Sequence, residues 1–277
     1  TESTWNSGSG FEPIATASDA TFTGSLDGNG HTISNLSVNR SGANSVGLVG
    51  ELGSTGVVQN LTIENTSVVG QDDIGAVVGI SAGTVQNVTV SGRGGGRNRI
   101  GGVVGTVTGG IVQNIIASGA VNGSNQIGGV VGKVETGGVV TESTAATNTS
   151  GSQRVGGLVG NSNGEVNRSN ATGTVTATGS YAGGLIGDHQ STTPVVNTTA
   201  SGAVTGTDRT GGLIGRTQAD VRSSSASGPV NSTSGNRVGG LIGHLDPTQS
   251  NLVVTNVTAD GTVSATGASV GGLIGTV

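Results

Sequence analysis

The side chains in this sequence that could do chemistry are few, and their spacing can be tested before any fold is assumed. The pattern G-x-S-x-G occurs at 79–83 and again at 160–164, centred on Ser81 and Ser162. A serine nucleophile in that pattern needs a strand-to-helix turn with His and acid partners. Both matches fall in the same slot of a longer repeat, so they are expected to be turns. The three histidines, His31, His189 and His244, stand at no ligand spacing from one another or from a carboxylate cluster. They offer nothing to zinc and are expected in exposed turns. Asp72-Asp73 is the best carboxylate pair, and glycoside chemistry would need a second acid converging on the same face. The equivalent positions of neighbouring repeats carry Asn98, Arg99, Asn125 and Gln126 instead. The Asp27-Gly28-Asn29-Gly30 stretch resembles part of a calcium loop but lacks the downstream acids, and reads as a turn with positive φ at Gly. No catalytic residue, metal ligand or cofactor contact is therefore expected.

Two columns offer binding or modification rather than catalysis. Arg99, Arg154, Tyr181, Arg209 and Arg237 all stand six residues before a recurring Gly, a candidate binding stripe for an anionic glycan or an acidic neighbour. The plainer alternative is a solvated turn, with Asp73 and Gln126 interrupting the row. Twelve Asn-x-Ser/Thr sequons are present. Asn35, Asn60, Asn87, Asn197 and Asn256 share one column with Asn114, where stacked amides would explain the Asn without any glycan. Asn39, Asn65, Asn122, Asn148 and Asn231 lie in or near expected turns and are the better candidate glycosylation sites.

The elements behind these residues follow from self-similarity. A run of the form φ-G-G-[LV]-[VI]-G recurs nine times, closing at Gly50, Gly79, Gly105, Gly132, Gly160, Gly187, Gly215, Gly243 and Gly275. The intervals are 29, 26, 27, 28, 27, 28, 28 and 32 residues. A second column is valine throughout: Val58, Val85, Val112, Val140, Val166, Val195, Val221 and Val254. A third carries Val121, Val175, Val204, Val230 and Val263. No apolar spacing of helical period occurs. Each unit predicts three short strands that cannot bury their own apolar side, so the units must stack. The fold class is all-β, a parallel β-solenoid of about nine coils of ~28 residues with three short strands per coil. Segment 1–25 is expected to cap the first coil and lead into it, since Trp5, Phe11 and Phe22 precede the regular repeat; 26–277 is the stack. In the first run, a regular strand would point the column Leu158, Leu185, Leu213, Leu241, Leu273 outward as an apolar ridge. A kink at the paired glycines would point it inward.

Composition sets the outer limits. Gly is 55 of 277 residues, aromatics are 1%, charged residues 10% and net charge −5. Collagen is excluded by the missing triplet period and only four Pro. A basic nucleic-acid footprint is absent, and no apolar run reaches the ~18 residues of a membrane helix. With no Cys or Met, the chain reads as exported and either processed or a fragment.

The opening stretch, with Trp5, Gly10-Phe11-Glu12-Pro13-Ile14, Phe22-Thr23-Gly24 and LDGNGHTISNL from Leu26 to Leu36, resembles the GLUG-repeat regions of prokaryotic surface adhesins and secreted proteins. So do the later VGGLVG and GGLIG runs. The resemblance implies an extracellular right-handed β-helix, secreted or displayed at a cell surface, with no catalytic residues. Its partners would be further copies, stacked head to tail or side by side, or further domains of a longer chain, or a surface glycan or protein.

Overall fold

The computed structural model describes residues 8–16, 21–233, 235–246, 251–267 and 269–277. No helix occurs among them, and the strands form three sheets of eight, nine and eighteen members. Within one coil the chain visits them in turn. Coil 5 runs Gln153–Gly156 in the first sheet, Val159–Ser162 in the second, and Glu165–Asn167, Asn170–Ala171 and Val175–Ala177 in the third. Coils are numbered here by their closing Gly, from Gly50 to Gly275.

The ladders are parallel, with a register shift between Ile63 and Thr66 in the pairing of coils 1 and 2. Val85 pairs with Val112 and Val112 with Val140, and the pairing continues from Val140 to Val166. All four are fully buried. Val121 pairs with Thr149, which pairs with Val175. At about 4.8 Å per coil, nine coils rise about 43 Å. Burial comes from the neighbour rather than from the coil itself. Leu241 in coil 8 is 0% exposed, whereas Leu273, its counterpart in the uncovered coil 9, is 37% exposed.

The structure decides between the two arrangements that the first run allowed. The glycine-rich first run is not one strand. It turns at the glycine pair, and its halves belong to different sheets, so Val155, Leu158 and Val159 are all buried. The Leu column points inward. The other two runs share the third sheet, and in coils 1 to 3 they fuse into single long strands, Val57–Val69, Thr84–Gly95 and Ile111–Asn122. The paired glycines mark a close backbone approach: a Cβ on Gly157 would lie 2.1 Å from the Gly184 carbonyl oxygen of the next coil.

The described part of segment 1–25 lies against coil 1. Ile14 pairs with Val49, Phe22 with Leu52, and Gly10 runs antiparallel to Val38. Phe11 and Phe22 pack half-buried on the core. Trp5 lies outside the described residues.

Candidate functional site

Both chemistry-bearing columns occupy left-handed backbone. Asp73, Arg99, Gln126, Arg154, Tyr181, Arg209 and Arg237 have φ between 51° and 71°. So do the corner residues of the third sheet, among them Asn60, Asn87 and Asn114, with φ of 53° to 54°. Such a conformation costs an L-residue about 1–2 kcal/mol, and Asn tolerates it best because its short amide bonds locally. Here the Asn amides bond from coil to coil. Asn87 Nδ2 donates to Asn60 Oδ1 at 3.1 Å and Asn114 Nδ2 to Asn87 Oδ1 at 2.7 Å. The stacked-amide reading of that column holds for these coils.

The arginine row has a different outcome. Its side chains lie half-buried across the second sheet and meet carboxylates. Arg99 holds Asp73 through two bonds of 2.7 and 2.8 Å. Arg154 Nε reaches Asp188 at 3.2 Å, and Arg216, which the spacing did not pick out, grips the same carboxylate at 2.8 and 3.3 Å. Arg209 and Arg237 share Asp208. The Tyr181 ring sits among Arg154, Arg209 and Arg216, with guanidinium carbons 4.8 to 5.4 Å from its centroid. The four arginines thus stand half-buried in one row, and each already has an acidic partner.

Asp72 and Asp73 are consumed in the same way. Burial pushes the Asp72 carboxyl up, but hydrogen bonds from Arg97 and Asn98, with the charges of Arg97 and Arg99, hold it below its ordinary value. Asp73 also accepts Thr106 Oγ1 at 2.6 Å. Among the described residues no three His, Asp or Glu side chains gather as a metal site would require. The Asp27 turn has positive φ at Gly30, as expected, and also at Asn29, whose backbone N–H donates to Asp27 Oδ1 and draws that carboxyl down.

Ser81 and Ser162 differ from the turn expectation. Each ends a strand of the second sheet and is fully buried, Ser162 within 3.2 Å of the Gly164 backbone. His189 stands in the same inward column and is fully buried rather than exposed. Its Nε2 donates to the Thr193 carbonyl at 3.0 Å, and its Nδ1 has no partner. Burial lowers its pKa. His244 is half-buried, its Nδ1 at 2.9 Å from Thr276 Oγ1. Only His31 is the exposed turn residue expected.

The five candidate sequon asparagines, Asn39, Asn65, Asn122, Asn148 and Asn231, are all exposed. They sit on strands rather than in turns: Asn148 is inside Thr144–Gly151 and Asn231 inside Val230–Ser232. Asn65 Nδ2 donates to Asn35 Oδ1 at 2.6 Å.

One feature was missed by column counting. From closing Gly to core Val the connection measures eight, six, eight and six residues in coils 4 to 7. The short coil-5 turn lies between two longer ones, leaving a cleft of about 740 Å³ lined by residues of all four coils. The alternation of spacing was the available signal.

Residues 151–176 match the family described as the GLUG motif. A stretch of 81 residues, 29% of this chain, is 68% identical to Halomucin of Haloquadratum walsbyi, of which it covers 1%. The chain thus spans a small fraction of the length of that relative. No solved structure matches. The matched stretch falls on coil 5, and its second-sheet strand pairs in turn with the equivalent strands of all the other coils, so the unit that resembles the GLUG motif recurs along the chain.

Proposed function

We propose that this chain is a rigid, non-catalytic spacer in a secreted or cell-surface protein, joined to further repeats or domains of a longer chain. The observation that carries the reading is the unbroken parallel ladder of the second sheet, in which strands from Val49–Leu52 to Ile274–Thr276 pair successively. Bending such a stack strains hydrogen bonds between coils, and among the described residues every second-sheet strand pairs with the next. The surface suits an exposed role. From Ala171 to Thr178 the chain alternates buried and exposed, and its outer residues are Thr172, Thr174, Thr176 and Thr178. The similarity to Halomucin supports membership of a very long chain, and its GLUG motif supports display at a prokaryotic surface. Adhesion and filament assembly are narrower forms of the same role.

The test has two parts. Small-angle scattering of the 277-residue chain should fit a rod about 43 Å long at nine coils of about 4.8 Å. Antibodies against the chain should label intact cells that produce it. A flexible particle by scattering, or label appearing only after lysis, refutes the proposal.

A further inference from the structure

We propose that the cleft across coils 4 to 7 binds an uncharged carbohydrate chain of about three sugar units, lying along the solenoid axis. The first argument is shape. The recess lies where the short coil-5 connection is flanked on both sides by connections two residues longer, those of coils 4 and 6. Nothing in the core needs those residues, since Val140 and Val195 are as buried as Val166 and Val221.

The second argument is preorganisation. The coil-6 wall, from Gln190 to Thr193, is tied down at several points. Gln190 Nε2 donates to Asp188 Oδ2 at 2.9 Å, Gln218 Nε2 donates to the Gln190 carbonyl, and Ser191 Oγ bonds both Thr193 Oγ1 and Thr193 N at 3.0 Å. Beneath it the buried His189 holds the Thr193 carbonyl. Burying an imidazole with one nitrogen unpaired costs free energy that an apolar residue in that column would not. What it secures is the position of this wall, and a fixed wall lowers the entropy lost on binding.

The third argument is chemical type. The lining carries amides, hydroxyls and glycine backbone, with Glu165 as its carboxylate and Arg216 as its guanidinium. Arg216 is bound to Asp188, and Glu165 keeps its charge while accepting from the Asn167 amide, so the lining presents one charge of each sign and no single-sign field to select an ion. Asn163 Oδ1 is buried with no partner in the protein. Groups that both donate and accept match sugar hydroxyls, which do the same. The distance from coil 4 to coil 7 is about 14 Å, three coil spacings, roughly a trisaccharide.

Titration of the whole 277-residue chain with maltotriose, cellotriose and triacetylchitotriose, followed by amide NMR, tests the proposal. At least one probe should bind at or below about 10 mM, as a cleft without aromatic stacking allows, and should shift the signals of Asn163 and Gln190. Asn163→Ala and Gln190→Ala should each weaken it about 3- to 10-fold, as loss of one hydrogen bond predicts. His189→Leu should also weaken it, by freeing the wall. The proposal is overturned if no probe shifts these signals, or if binding survives both alanine variants while their spectra show an intact fold. It is also overturned if only a sulfated polyanion binds and salt abolishes it. That last result would assign binding to the arginine row and leave the spacer reading untouched.

Discussion

Thr149 gives the sharpest test of how the columns set stability. It stands in a ladder between Val121 and Val175, is 2% exposed, and its Oγ1 has no hydrogen-bond partner. Thr210 repeats the situation in coil 7: it is 0% exposed, pairs with Ala182 and Val238, and its Oγ1 is likewise unpaired. A buried hydroxyl left unbonded costs about 1–3 kcal/mol, and valine replaces it by a methyl of nearly the same shape. Thr149→Val and Thr210→Val should therefore each stabilise by about 1–2 kcal/mol, or about 2–8 °C in Tm for a chain of this size. The sites lie on different sheets, 61 residues apart and about 10 Å along the axis, with no shared partner, so the double variant should give the sum. Thr66→Val is the control, because Thr66 is also buried but donates to the Leu36 carbonyl at 3.0 Å; it should lose about 0.5–1.5 kcal/mol. Thermal melts by circular dichroism read the sign. Hydrogen exchange of the flanking coils reads it locally, which matters because a solenoid can unfold coil by coil. Were all three variants to shift stability in the same direction, unmet hydroxyls would not be what distinguishes these positions, and the column argument would fail.

Other variants probe different forces. Removing the buried Asp188 carboxylate in Asp188→Ala leaves Arg154 with only the Asn125 amide and Arg216 with only Asp246 at 3.9 Å; with those side chains 26% and 23% exposed, the loss should be about 2–3 kcal/mol, below the 3–5 of a fully buried pair, and a change under about 0.5 kcal/mol in denaturant titration would contradict it. His189 binds its proton less readily folded than unfolded, where its value is near 6.5, so the unfolded chain takes up more protons below that pH. Stability should be full above about pH 7 and fall by up to 1.4 kcal/mol per unit as pH drops through about 6, and His189→Leu should flatten that slope in melts across the range. Gly94→Ala and Gly157→Ala should have opposite signs: at Gly94 a Cβ meets nothing nearer than 3.8 Å, so about 0.5–1 kcal/mol is gained, whereas at Gly157 it would strike the Gly184 carbonyl.

What the sequence made legible was whatever repeats with one residue type. The valine column is invariant across eight coils because a fully buried ladder position admits little else, and it stacked as counted. The first run left two orientations open because strand alternation assumes one continuous strand, and the glycine pair that breaks it carries no side chain to reveal which way the chain turns. The arginine row was visible as a column but not as left-handed backbone. Arg has no preference for that conformation, and stacking on the neighbouring corners imposes it. One of its acids, Asp188, was invisible for a related reason. Asp188 lies on a different strand, seven residues from Tyr181, and reaches Arg154 across a coil boundary that linear spacing does not encode.

The glycine content, which in isolation argues for a soft chain, supports stiffness once its location is known. A Cβ on Gly129 would lie 2.1 Å from the Gly157 carbonyl, on Gly157 the same distance from Gly184, on Gly184 from Gly212, and on Gly212 from Gly240. These glycines form a column in which each backbone rests on the next with no room for a methyl group. The entropy that glycine loses on folding, about 0.5–1 kcal/mol per residue relative to alanine, is the cost of that contact. In return the first and second sheets turn within a few residues, and Leu158, Leu185, Leu213 and Leu241 all face the interior. A side chain at any one of these positions would push two coils apart and open the ladders on either side. The rigidity proposed for this chain therefore depends most on the residues that have no side chain at all.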